Sequence, residues 1–344
     1  MTSGLAVVNP GLCTTVQDLG RTGYQQLGVP VSGALDPVSL RLANAVLGNP
    51  PGMPALEILL GGPELEVTAE RVRIAIGGIG ARLTLAGEPA RAVPAWHSVS
   101  LEQGTRFRVV LGASSGCCYL AVEGGIAVPL VLGSASTCPR AGLGGLEGRA
   151  LRRHDVVPLA LAAAPVRAER RLLRPPAPAP ARPIRVVLGP QQDFFTEAAI
   201  ATLFAAEFRI SAQADRMGMR LDGPYLAHRA GWDIISDAIA TGAVQVPGSG
   251  RPVILLADHQ TTGGYPKIAT VVSADLPILG RRRPGETVRF AAISVAQAEE
   301  LCRNEERRLA EMAASAEPVA GSDGFDLAAL YGANLISGAV TGRE

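Results

Sequence analysis

The sequence predicts a mainly β protein with few α-helices, folded as barrels or sandwiches and not as a parallel, doubly wound sheet. Short runs of alternating or continuous apolar residues recur along the whole chain, and its 40 Gly and 26 Pro supply the turns between them. Helical periodicity is confined to a few segments. The stretch Pro175-Pro176-Ala177-Pro178-Ala179-Pro180-Ala181-Arg182-Pro183 reads as an extended, semi-rigid connector that cuts the chain nearly in half. The expected organisation is therefore a first β half over 1–174, a linker over 175–183, a second β half with a C-terminal helix over 184–314, and a tail over 315–344.

In chain order, the first helix is Pro37 to Leu47. Asp36 stands at the N-cap, Pro37 at the first helical position, and Val38, Leu42 and Val46 on one face, with Gly48 as the stop. Arg71 to Ile76 alternates as a half-buried strand should, and Arg82 to Leu85 runs as a strand into the turn Ala86-Gly87-Glu88-Pro89. Arg106 to Leu111 and Cys118 to Val122 continue the pattern. Beyond the linker, strands are expected at Ile184 to Leu188, Ala243 to Val246, Val253 to Ala257, Ile268 to Val272 and Thr287 to Ile293. A helix starts at Thr196 and runs to about Ala206. The longest helix starts at Ser294, where Ser294 and Gln297 fit a capping box; it turns Ala298, Leu301, Cys302, Leu309 and Met312 inward and is expected to pack on the second half. The Ala/Gly-rich tail from Ser315 reads as a strap or a frayed end, with one docking helix over Asp326 to Ile336.

Composition excludes several function classes. A formal net charge of +1 does not supply the phosphate neutralisation of a nucleic-acid binder or the attraction of a membrane-surface protein. The long uncharged stretch from Gly124 to Pro139 is broken by Gly and Pro and is too short to span a bilayer. The N-terminus lacks the basic region of a signal peptide, so a cytoplasmic location is expected. Cys13, Cys117, Cys118, Cys138 and Cys302 form no CxxC pair and read as reduced thiols. His97, His154, His228 and His259 show no HxH or HExxH spacing, and no metal site is expected. There is no GxxxxGK[ST] phosphate loop and no GxGxxG.

Four polar constellations carry the candidate chemistry. The richest, Asp258 to Pro266, packs a carboxylate, an imidazole, an amide, two hydroxyls, a Gly-Gly pair and a phenol into nine positions directly after an apolar strand. Each such group left buried without a partner costs about 1–3 kcal/mol, so the segment reads as a site at the mouth of a strand. Asp258 or His259 could handle a proton, Gly263 and Gly264 could offer N–H groups to an oxyanion, and Tyr265 or Lys267 could polarise a carbonyl or phosphoryl group. Lys267 is the only lysine in the chain, against 31 arginines (32 cations less one), which marks either a specific need for an ammonium or a leftover surface residue.

The stretch Thr14, Thr15, Gln17, Asp18 and Arg21 is a second polar cluster, or else a capped loop. Gln191 and Asp193 end a strand, or else simply turn into the next helix. In Asp215 to Leu221, Arg216 or Arg220 beside Met217 could grip a carboxylate, or an Arg–Asp clasp could join strands. Gln245 sits between apolar neighbours and points away from Val244 and Val246, so it lines a candidate cavity.

These residues jointly resemble a known family. Pro10-Gly11 with Thr14 to Arg21, Gly28-Val29-Pro30 with Ser32 to Asp36, Ala43-Asn44, Gly48-Asn49 and Leu56-Glu57 fall in its order. So do Gly124-Gly125-Ile126, Leu132-Gly133-Ser134, Gly189-Pro190-Gln191, Asp215 to Gly218 with Arg220-Leu221, Gln245-Val246-Pro247 and Asp258 to Pro266. The family is variously called the 5-oxoprolinase C subunit, KipA or allophanate hydrolase subunit 2, and is similar to the C-terminal part of the carboxyltransferase region of biotin-dependent urea carboxylases.

The resemblance implies two cyclophilin-like β-barrel halves. It further implies that the chain works with two partner proteins, a KipI-like B subunit plus a LamB/YcsF-like A subunit, to open 5-oxoproline to glutamate at the expense of ATP. Under it, Asp258, His259, Tyr265 and Lys267 are the candidate catalytic residues. Thr14, Thr15, Gln17, Asp18, Arg21, Gln191, Asp193, Arg216, Met217, Arg220, Gln245, Gln260, Thr261, Thr262, Gly263 and Gly264 are the candidate substrate-binding residues. Two alternatives follow from the same resemblance. One is carboxyl transfer from carboxybiotin to a urea-like or amide nitrogen, for which this chain carries no Met-Lys-Met biotin acceptor and no biotin carboxylase region. The other is a KipA-like regulator that antagonises a KipI-like kinase inhibitor.

Overall fold

Strand follows strand in both halves, as the turn density requires. The computed structural model describes residues 3–87, 91–113, 115–178 and 182–319. The expected turn at Glu88-Pro89, the middle of the linker and the helix over Asp326 to Ile336 lie outside the described residues.

In the first half, one antiparallel sheet runs Val156–Pro158, Gly4–Asn9, Glu64–Val67, Arg106–Val110, Arg82–Leu85, Arg91–Pro94. A second runs Cys13–Gln17, Ala55–Leu59, Cys117–Val122, Arg71–Gly77, Ser98–Glu102. Alternation decides which face is buried: Leu83, Leu85, Phe107 and Val109 enter the core while Arg82, Arg106 and Arg108 face out. Cys117–Val122 is buried along its whole length, with sheet neighbours on both sides and α1 (Pro37–Leu47) packed against it. The helix begins and ends as its sequence requires. Asp36 accepts from Ser39 N at 3.2 Å, and Gly48 closes the last turn at φ 70.

In the second half, eight strands form one sheet in the order Thr287–Val288, Phe208–Ile210, Gly218–Asp222, Val253–Leu255, Ala243–Gln245, Lys267–Val271, Ile184–Leu188, Phe290–Ala292. The two edge strands are consecutive in the chain, separated only by Arg289. The expected single strand Thr287 to Ile293 therefore breaks there, and the sheet curls into a nearly closed barrel. Its core holds Val186, Phe208, Met219, Leu221, Val244, Ile254 and Ile268, with Ala199 and Leu203 of α2 (Glu197–Ala205) at one end. Full burial of each such aliphatic side chain contributes roughly 1.5–3 kcal/mol.

After the short α3 (Leu276–Gly280), α4 (Val295–Ala314) opens with the expected capping box between Ser294 and Gln297. Its packing differs from expectation. Leu309 and Met312 enter the core of the first half, and the helix lies on α1 and beside the turn Ser273–Asp275. Arg41 of α1 pairs with Glu306, and Ala316–Pro318 then pairs with Arg170–Leu172, so the chain returns to the half it started from. The apolar stripe of α4 is too sparse to specify which half it faces, because only its C-terminal part is fully buried.

The halves meet on buried charge. Arg216, 6% exposed, donates from Nε and Nη2 to both oxygens of Asp258 at 2.8 and 3.0 Å, from Nη1 to Glu57 Oε1, and from Nη2 to the Gly33 carbonyl at 2.7 Å. Glu57 and Gly33 belong to the first half. Glu57 Oε2 in turn accepts from Leu35 N at 2.8 Å and from the Tyr119 hydroxyl at 2.6 Å. Burial works against the charge on Arg216, but Glu57 and Asp258 outweigh it and hold the guanidinium pKa above its ordinary value. Beside this trio, Arg281 reaches Asp36 at 3.3 Å, and Arg283 donates to the carbonyls of Gly112 and Ser115. A Cβ on Gly280 would lie 2.4 Å from the Leu35 carbonyl oxygen, so only glycine allows that approach.

Arg216→Leu strands two buried carboxylates and should cost about 3–5 kcal/mol of stability, read from chemical denaturation midpoints. Removing the whole trio together, as Arg216→Leu with Glu57→Leu and Asp258→Leu, should recover much of that loss.

Candidate functional site

Arg220, Val253, Gln245 and Lys267 stand opposite one another on four adjacent strands of the second sheet. The neighbouring row Met219, Ile254 and Val244 points into the barrel core, so the strand period of two sends Arg220 and Gln245 to the other face. A cleft of about 590 Å³ opens over that face. Val253 and Leu255 form an apolar floor, Met217, Gln260 and Tyr265 close it from the sides, and Arg140 enters from the first half. Gln245 is buried, and its carboxamide is tied loosely: Nε2 donates to the Tyr265 carbonyl and Oε1 accepts from Gln260 Nε2, both at 3.4 Å. Bonds of that length are weak and readily exchanged for a ligand.

The Asp258 to Pro266 segment divides by chemistry. Asp258 turns inward to Arg216 at the junction. His259 is fully buried, with Nδ1 2.5 Å from the Gln260 carbonyl and Nε2 3.1 Å from the Thr241 hydroxyl. A carbonyl only accepts, so Nδ1 carries the proton and Nε2 takes one from Thr241. Burial lowers the His259 pKa, only partly offset by the Gln260 carbonyl and Asp258, and the ring is held neutral. Thr262–Gly263 pairs with Asp237–Ala238 as a short ribbon beside the cleft. A Cβ on Gly263 would come within 2.8 Å of both Gln245 Nε2 and Ile239 Cδ1, so a side chain there would push the Gln245 carboxamide aside. Thr261 and Gly264 accept backbone bonds from Ile239 and Ile234 in the same ribbon. Tyr265, 40% exposed, stands at the rim with its ring centroid 6.1 Å from that of Trp232.

Lys267 is no leftover surface residue. It is 4% exposed, and Nζ donates to Asp237 at 2.6 Å and to the Ala238 carbonyl at 3.2 Å, latching the ribbon to the sheet. The Lys267 contact, followed by the Ala238 N–H, holds the Asp237 carboxyl below its usual range. Gln191 joins the latch, accepting from Lys267 N at 3.2 Å and donating to Asp237 at 3.3 Å.

The structure thus brings Met217, Arg220, Gln245, Gln260 and Tyr265 together at the cleft and places Thr261, Thr262, Gly263, Gly264, Lys267 and Gln191 in the ribbon and latch beside it. It does not bring the N-terminal cluster there. Thr14, Thr15, Gln17, Asp18 and Arg21 are buried within the first half, where most of their polar groups bond its own loops, while Gln17 Oε1 and Arg21 Nη1 have no partner among the described residues. Asp18 accepts from Gly20 N, Ala135 N and the hydroxyls of Ser134 and Ser136; Gln17 donates to Thr15 and the Thr137 carbonyl; Arg21 donates to the Ser136 carbonyl. Asp193 is exposed on the turn Gln192–Phe194, outside the cleft lining. Arg216 faces the junction, the Arg–Asp clasp of the two sequence readings.

Sequence reasoning missed Glu57, Asp237, Thr241 and Arg140. A glutamate inside the otherwise apolar, wholly buried Ala-Leu-Glu-Ile run was a usable signal. Nothing local marks the other three. Cys13 has its thiol pKa pushed up by burial and then by Glu57, which leaves it a poor nucleophile. All five cysteines are free thiols. Among the described residues, no cluster of three His, Cys, Asp or Glu is placed to hold a metal ion, and no helix is long and apolar enough to cross a membrane.

A barrel carrying a polar cleft on its outer face, clasped to a second β half, is the architecture of a carboxyltransferase-type domain, and residues 27–292 match the family described as "Carboxyltransferase domain, subdomain A and B". The chain belongs to this family. Within it, the chain is a homologue of the 5-oxoprolinase C subunit. It is 34% identical over 312 residues to that protein from Escherichia coli (strain K12), covering 90% of this chain and 97% of the relative. The Haemophilus influenzae counterpart is 36% identical over 296 residues, 85% of this chain and 92% of its own. The crystal structure of the K. lactis urea amidolyase superposes with a TM-score of 0.81 and 30% identity over 90% of this chain, which spans only 20% of that much longer protein.

Two outcomes are expected. The His259 pKa lies below its ordinary 6.5, so the unfolded chain binds the proton first as pH falls. The stabilisation from keeping the ring neutral is complete above 6.5 and is lost as pH falls from there through the folded pKa. His259→Gln should flatten the fall of the denaturation midpoint across that window. Lys267→Met should return the Asp237 carboxyl to the usual range in an NMR titration and speed amide exchange at Ala238, and Lys267→Arg should not restore either, because a planar fork replaces a compact ammonium.

Proposed function

We propose that the chain is the C subunit of an ATP-dependent 5-oxoprolinase that opens 5-oxoproline to glutamate in the cytoplasm, together with a KipI-like B subunit plus a LamB/YcsF-like A subunit. One observation carries this reading: the chain matches 97% of the length of a 5-oxoprolinase C subunit, but only 20% of a urea amidolyase. The relatives are named as subunits, so a working enzyme needs further chains.

The cleft supports the same substrate class. A lactam presents an N–H donor beside a carbonyl acceptor, and the Gln245 and Gln260 carboxamides present the complementary pair at the cleft. The Val253 and Leu255 floor suits ring methylenes, and Tyr265 at the rim offers a hydroxyl to a carbonyl oxygen. A lactam is a poor electrophile; ATP bound by the assembly would supply the phosphoryl group that turns the lactam oxygen into a leaving group. The cleft has no phosphate loop beside it, so ATP is assigned to the assembly and not to this chain. This chain's residues would hold the ring and orient the carbonyl for attack by water.

The carboxyltransferase family match favours one second reading, carboxyl transfer from a biotin carried on another protein. Mixing the purified chain with its A and B partners, ATP and 5-oxoproline should yield glutamate and ADP in equal amounts. No glutamate from three folded subunits would sink the 5-oxoprolinase reading, and avidin-sensitive activity would favour the second.

A further inference from the structure

Two guanidinium groups line the cleft without a carboxylate bonded to either. Arg220 stands on the sheet face, and Arg140 reaches in from the turn that Cys138 and Leu143 close in the first half. Neither makes an ion pair among the described residues, whereas nearby Arg216, Arg251 and Lys267 are each paired. Both side chains are solvent-exposed, and the Arg140 Nη1 rests against the Met217 sulfur, a weak acceptor that leaves the guanidinium's other donors free for a ligand. Asp215 is the one acidic side chain in the lining, and its Oδ1 is taken up by the N–H groups of Met217 and Gly218 at 2.8 and 3.1 Å.

We infer that Arg140 and Arg220 form a two-sided clamp for the carboxylate of a small cyclic amide, with Gln245 and Gln260 reading the ring's amide edge. A guanidinium matches a carboxylate with parallel N–H donors, and two of them, one from a turn and one from a strand, fix its orientation as well as its charge. A cleft of about 590 Å³ has room for a five-membered ring with its substituent. The clamp is composite: Arg140 comes from the first half and Arg220 from the second, so neither half alone contains it. The identity of the ring rests on the 5-oxoprolinase reading, while the demand for a carboxylate rests on the unpaired charges.

The test titrates the full chain calorimetrically with 5-oxoproline, with 2-pyrrolidinone (the same ring without its carboxylate) and with biotin methyl ester. 5-Oxoproline should bind at least about tenfold more tightly than 2-pyrrolidinone, and Arg140→Gln or Arg220→Gln should each remove about tenfold of that preference. Arg289→Gln, which loses a charge paired with Glu207 outside the cleft lining, should leave the preference unchanged. Equal binding of the two rings, no binding of either, tighter binding of biotin methyl ester, or Arg140 and Arg220 variants that bind like the wild type would overturn the clamp. In the assembled enzyme, Arg140→Gln should raise KM for 5-oxoproline far more than it lowers kcat. Turnover with an unchanged KM sinks the clamp and leaves the function standing; no turnover beside a carboxylate-selective cleft does the reverse.

Discussion

The junction between the two halves is organised around one buried guanidinium, with Arg281 and Arg283 bonded beside it. Arg216 satisfies two carboxylates and a carbonyl at once, and these come from three separate chain segments: Asp258 of the second half, and Glu57 and Gly33 of the first. A buried charge of this kind adds little net stability over an apolar replacement, because desolvation consumes most of the Coulombic gain. What it supplies is orientation. A hydrophobic junction tolerates sliding, whereas a planar fork with four donated bonds accepts one geometry.

That geometry is transmitted to the cleft by adjacency. Arg216 points to the junction and Met217, the next residue, lines the cleft and touches Arg140 across from the other half. The same alternation runs through the following strand, where Met219 and Leu221 fill the barrel and Arg220 turns outward. A barrel needs only one face of its sheet for its own core, so the outer face is left free for chemistry. The ribbon of Asp237–Ala238 and Thr262–Gly263 then borders that face, held by Lys267.

Local rules made much of this legible. The helix Pro37–Leu47 begins and ends where its cap, proline and glycine say, and the Ser294 capping box forms as the spacing requires. The strands were readable from alternation, and Gln245 was readable as cavity-facing because a polar residue stood at an outward position of an apolar strand. What failed was anything set by long-range partnership. The Thr14 to Arg21 cluster looks the same in sequence whether its donors meet a substrate or the loop around Ser134 and Ser136, more than a hundred residues away. The docking of α4 on α1 turns on two side chains, Leu309 and Met312, and no periodicity reveals which core receives them. Arg140 and Asp237 carry no local mark at all, since their significance lies in what stands opposite.

The contrast between Arg216 and Lys267 explains the odd cation count. Arg216 must span two carboxylates and a carbonyl lying in different directions, which a rigid fork with several donors does and a point charge does not. Lys267 must thread between strands to reach one carboxylate and one carbonyl of a narrow ribbon, where the ammonium is compact and the guanidinium is not. A chain that writes its other 31 cations as arginine keeps its one lysine at a buried position that makes two short contacts to the ribbon. The lone lysine holds the ribbon in place, while Gln245, Gln260 and Tyr265 line the cleft beside it.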